Sequence, residues 1–226
     1  VVTEFERIYQ RAAARKGGPG ALEEMLPPAE SVDLAAIPDD RWLSRMGKHV
    51  MAAGFRWRVV EAMWESHEEH LWGFQPEPVA FMSEADIDRI ADTKGVIGHR
   101  PKLAAIRDNA RMVLDVSAEH GSFGEFIASW PEDDIVGLQL WLKEHGGRLG
   151  GMTGPYMLRA MGLDIFLFTR DVSAALIESK IIDKEPTTKR RMLAAQEAFV
   201  RWKQETGRSF TQLSRLLAYS TGDGSI

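Results

Sequence analysis

Residues 149 to 156 read Leu149-Gly150-Gly151-Met152-Thr153-Gly154-Pro155-Tyr156. Glycines at 150, 151 and 154, then a proline where a helix begins, suit a tight turn between two helices. Backbone amides left open at such a helix start can hold a phosphate without any side-chain charge. An ordinary helix-to-helix connection explains the same glycines. His67 and His70 flank Glu68 and Glu69 at a spacing that can chelate a metal, although an exposed acidic helix end explains them better. Phe55 alone reads as a core residue, since large apolar side chains are mostly buried. The chain has no cysteine. That excludes disulfides, iron–sulfur clusters, thiolate zinc sites and cysteine nucleophiles, and it suits a reducing, cytoplasmic setting.

The elements that must position these residues are helical nearly throughout. Apolar residues recur at three- and four-residue spacing, and no segment alternates as a strand would, so the chain reads as all-α. Thr3 with Glu6 and Ser122 with Glu125 have capping-box spacing, and Ser83 with Asp86 opens another helix. Asp39-Asp40 can cap a helix carrying Trp42, Leu43, Met46 and Val50. Gly54 interrupts that helix, and Trp57, Val60, Glu61 and Trp64 continue the pattern. The clearest amphipathic helix runs from about Pro101 to Glu119, with Leu103, Ile106, Ala110, Val113 and Leu114 on one stripe. Pro131 and the acids Glu132, Asp133 and Asp134 place negative charge at the start of a helix reaching His145. Further helices are expected over Pro155–Met161, Arg170–Ser179, Thr188–Thr206 and Ser209–Ser220.

At 226 residues, 44% apolar and 27% charged, the chain is long enough for a sizeable core and too apolar to be disordered. No apolar run approaches the roughly 18 residues of a membrane span, and the first residues do not read as a signal peptide. The net charge of −5 argues against a protein that coats itself with nucleic acid. Between Lys184 and Arg215, however, eight basic residues face three acids. A basic segment on an acidic chain is compatible with docking a polyanion at one place, and equally with a solvated helix.

Three blocks resemble a known family. Gly95-Val96-Ile97-Gly98-His99-Arg100-Pro101-Lys102-Leu103, continuing to Asn109-Ala110-Arg111, is similar to a stretch of the DNA-3-methyladenine glycosylase I family, within the helix-hairpin-helix DNA glycosylases. Upstream, Ala53-Gly54-Phe55-Arg56-Trp57 resembles that family's Ala-Gly-Leu-Ser-Trp. Downstream, Leu149 to Gly154 resembles the hairpin, with Gly151, Thr153 and Tyr156 matching. The blocks stand in family order from about Lys48 to Val172. The division expected is an N-terminal helical extension (1–47), a glycosylase-like core (48–180) and basic C-terminal helices packed on it (181–226).

The resemblance implies a monofunctional enzyme acting on double-stranded DNA that contains a damaged base. It would flip an alkylated purine out of the stack and hydrolyse its N-glycosidic bond. Trp57, with Tyr156, would bind the base, and Gly54 and Phe55 would fill the gap left in the duplex. Gly150, Gly151, Met152, Thr153 and Gly154 would hold the DNA backbone, with a monovalent cation possible at the hairpin. Three departures stand beside these matches. The family's zinc is not expected, because its cysteines are missing. His49 occupies the place of a base-contacting glutamate, and a neutral imidazole supplies no fixed negative charge. The aspartate that many superfamily members use falls at Thr169, with Asp171 two residues on; His49 and Asp171 are the candidates for catalysis. The expected protein is a monomer without membrane contact. A catalytically silent protein that binds DNA structure, and a helical scaffold without DNA function, remain open alternatives.

Overall fold

Aliphatic and aromatic residues at helical spacing bury one stripe of every long segment, and the computed structural model is accordingly helical. It describes residues 3–29 and 31–222. Among these no strand occurs, in agreement with the all-α expectation. The chain begins with α1 (Glu4–Arg15) and α2 (Pro19–Glu24), then α3 (Asp39–Ala52), α4 (Trp57–Ala62) and α5 (Trp64–His70). It continues through α6 (Pro76–Ala80), α7 (Glu84–Ala91), α8 (Arg100–His120), α9 (Phe123–Ser129) and α10 (Ile135–His145). The last are α11 (Thr153–Ala160), α12 (Arg170–Glu178), α13 (Lys189–Thr206) and α14 (Phe210–Thr221). No described helix is long and apolar enough to cross a membrane.

Contacts divide the chain into two units. One comprises Val32–Trp130 and Leu138–Leu163, the other Val1–Ser31, Pro131–Gly137 and Asp164–Ile226. In the first unit α8 is the axis: Leu103, Ile106, Ala110 and Val113 are buried and meet α3 and α6. α3 also packs on α11, which brings the helix before Gly54 against the helix after the glycine-rich turn. In the second unit α14 lies between α1 and α12. Phe166 stacks on Phe199 at 4.3 Å, and Phe210 meets it edge-on at 5.5 Å.

The caps refine the sequence reading. Ser83 and Asp86 form the full capping box. Thr3 and Ser122 each accept from the amide three residues on, but neither glutamate returns the bond; Glu6 takes Gln10 instead. Asp39 does not cap α3. Pro38 holds that position, and the Asp39 carboxylate accepts from the Ser117 hydroxyl and the Phe123 amide, joining the end of α8 to the start of α9. His67 is not on an exposed acidic end. It is fully buried, donates from Nδ1 to the Met63 carbonyl and accepts at Nε2 from the Ile97 amide, so it staples α5 to the 95–99 turn. Four cations of the basic C-terminal segment form ion pairs inside their own unit: Arg191 with Asp183, Arg201 with Glu4, Lys203 with Glu132 and Arg208 with Glu23.

Candidate nucleic-acid interface

The first-unit site starts at the end of α3. Gly54 has φ +81°, a left-handed conformation that L side chains resist, so the chain can turn here and start α4 at Trp57. The Phe55 amide donates to Ala52, closing the turn. Two large apolar rings next to this turn are exposed: Phe55 is 44% exposed and Trp57 39%. An exposed Phe-x-Trp on a tight turn departs from the core reading of Phe55 and has the chemistry of a base-stacking wedge.

Three α3 and α8 side chains surround these rings. The His49 ring lies 5.1 Å from the Trp57 ring at 56°. His49 donates from Nδ1 to the Arg45 carbonyl, leaving Nε2 an acceptor. Burial pushes its pKa below the ordinary 6.5; the bond to Arg45 opposes this, and the charges of Arg45 and Lys48 add to it. Lys48 stands 5.5 Å from the Trp57 ring centre and pairs with Glu61 at 3.1 Å. Trp57 is thus bordered by a neutral acceptor and a compensated cation. Lys102, from the first turn of α8, is only 4% exposed and reaches back to the Met51 and Ala53 carbonyls.

The glycine-rich turn joins α10 to α11. Gly151 takes φ +62° with open space around it, and Arg148 takes φ +60° as well. Gly154 donates to the Leu149 carbonyl and Tyr156 to that of Met152. Among the described residues the amides of Gly150, Gly151 and Met152 donate to no protein acceptor. α11 has no side-chain cap and no acid in its first turn. The positive end of a helix dipole and three free amides therefore lie together on this turn, an arrangement suited to a phosphate. Fully buried Asn109 holds the approach to this turn, donating to the Gly147 carbonyl at 3.1 Å and accepting from its amide at 2.7 Å.

Of the residues singled out in the sequence, His49 and Trp57 are brought into contact. Gly54 and Phe55 stand on the same turn, and Gly150 to Gly154 with Tyr156 belong to the same unit. Tyr156 sits half-buried in the first turn of α11. Asp171 lies in the other unit, at the second position of α12, whose cap is Thr169; the Asp171 backbone carbonyl accepts from Thr221. Sequence reasoning missed Lys102 and Asn109 as positioning groups. Both fall in the block resembling the glycosylases, which was the available signal. Arg148, whose charge helps to lower the Lys102 pKa, carried none.

Residues 39–139 match the model of the methyladenine glycosylase family. That span holds His49, Gly54, Phe55, Trp57, Lys102 and Asn109; the glycine-rich turn and Tyr156 follow it. Over 78 residues the chain is 37% identical to the DNA-3-methyladenine glycosylase of Haemophilus influenzae, covering 34% of this chain and 42% of that protein. The match thus spans less than half of that relative's length. Among solved structures, 3-methyladenine DNA glycosylase I from Staphylococcus aureus superposes with TM-score 0.52 at 23% identity, over 69% of this chain and 92% of that one. The 8-oxoguanine DNA glycosylase of Methanocaldococcus jannaschii superposes with TM-score 0.56 at 13% identity, over 94% and 92%. The chain therefore has the all-α fold of the helix-hairpin-helix DNA glycosylases, and its residues 39–139 carry the sequence pattern of the methyladenine glycosylases.

Proposed function

We propose that this chain is a DNA base-excision glycosylase that extrudes an alkylated purine of the 3-methyladenine type and hydrolyses its N-glycosidic bond, leaving an abasic site. The observation that carries this is the exposed Phe55 and Trp57 on the Gly54 turn, within the segment similar to the methyladenine glycosylases. Phe55 fills the vacated stack while Trp57 and Tyr156 take the flipped base. The free amides of Gly150, Gly151 and Met152 position the phosphate without reading sequence. The Gly150 and Gly151 carbonyls accept no protein hydrogen bond among the described residues, so they fit a monovalent cation that adds positive charge beside that phosphate.

The chemistry asked of the protein is modest if the leaving base already carries positive charge, because departure then needs little general acid. His49 acts at the base as a neutral acceptor. No zinc is expected, because the chain has no cysteine to supply thiolate ligands.

One observation favours the second reading, a silent binder of DNA structure: the groups against Trp57 are an imidazole and an ammonium, not a carboxylate. Incubation with duplex containing 3-methyladenine separates the two. Free 3-methyladenine and an alkali-labile abasic site are expected. Salt-dependent binding without release supports the silent binder instead, and neither binding nor release overturns both.

A further inference from the structure

We propose that Lys102 is the residue that positions the Phe55 wedge, an inference that rests on reading Phe55 as that wedge. A lysine in the first turn of a 21-residue helix faces the unfavourable end of the macrodipole, so local helix chemistry does not call for it there. Its side chain is buried, and its amine donates to two carbonyls at the end of α3, Met51 at 3.0 Å and Ala53. These lie at the negative end of the α3 dipole, where a buried cation is matched by orphan acceptors. The same nitrogen stands 4.6 Å from the centre of the Phe55 ring. One ammonium thus fixes where the chain leaves α3 and offers the ring a face to rest on. The cation also keeps Phe55 from sinking into an apolar site, so the ring stays outward and ready to exchange the cation for a base stack. Burial, with help from Arg148, holds the Lys102 pKa below its ordinary 10.5, as expected of an amine committed to this internal role.

The test is a double-mutant cycle read by 2-aminopurine placed beside an abasic analogue in the duplex, which brightens when the stack is opened. Lys102→Met and Phe55→Ala should each lower the affinity for this duplex about tenfold. The pair together should lose no more than the larger single effect. Affinity for undamaged duplex should change less than about twofold, since backbone contacts position without the wedge. Lys102→Arg, which keeps charge and donors, should restore the 2-aminopurine signal. If K102M proves unfolded, Lys102→Gln, with a donor but no charge over the ring, carries the same comparison. Parent-like signal in folded K102M, or losses that multiply independently with F55A, overturns the positioning role while leaving the wedge intact. A parent protein that gives no 2-aminopurine response at all removes the wedge reading itself, and this inference with it.

Discussion

Two tryptophans of the first unit show what exposure decides. Trp42 is fully buried and meets Phe123 edge-on at 5.5 Å, whereas Trp57 is 39% exposed. Trp42→Ala should cost about 3–5 kcal/mol of stability, as core truncations do. Trp57→Ala should cost no more than about 2 kcal/mol, because much of its ring already faces solvent. Equal losses in thermal melts would mean that Trp57 is core and not a base platform. The histidines add a pH dependence. His49 and His67 both have pKa values pushed below 6.5, chiefly by burial. The unfolded chain then binds more protons than the folded one below about pH 6.5, so their share of stability is complete above that value and is lost as pH falls through the folded pKa values. Melts between pH 8 and pH 5 should show a falling midpoint below 6.5; a midpoint flat across that window would contradict the buried, neutral state. Trp57 and Gly54 were legible because a ring and a glycine at that spacing match a motif. Lys102 was not, since a lysine in the first turn of a helix reads as solvated until the carbonyls it meets are known.

At the scale of elements, periodicity placed the helices well and their ends less well. The Pro101–Glu119 expectation became Arg100–His120, because apolar residues on one stripe dictate where α8 packs. The break at Met63 between α4 and α5 was missed, as Trp57, Val60 and Trp64 keep helical spacing across it. The glycine-rich turn was legible as a turn. What the sequence did not show is the anchor of its approach, Asn109, which is fully buried and bonds the Gly147 backbone 38 residues later. Gly151→Val tests the element. Nothing crowds a side chain there, but φ +62° strains one, so some stability is lost in any case. If the turn holds a phosphate, affinity per folded molecule should also drop similarly for all duplexes, with the salt slope reduced by roughly 1. Lower stability with unchanged affinity and slope would make the turn a connector only.

For the whole molecule, apolar periodicity indicated the helical class, and three short blocks pointed to the candidate site before any contact was known. The division into units was not legible, because Val1–Ser31 joins segments more than a hundred residues later in sequence. The chain has no cysteine to supply a thiolate zinc site, so chelator treatment should leave the melting midpoint unchanged. A drop on chelation that zinc restores would show a site the ligand chemistry does not provide. The central claim, excision of a base held against Trp57, is met most directly by single-turnover release of free 3-methyladenine from a defined duplex, comparing the parent with Trp57→Ala at equal folded concentration. The account predicts release by the parent and a loss in the variant of about 5- to 150-fold, the equivalent of one base stack. Release at the same rate by both proteins would contradict it.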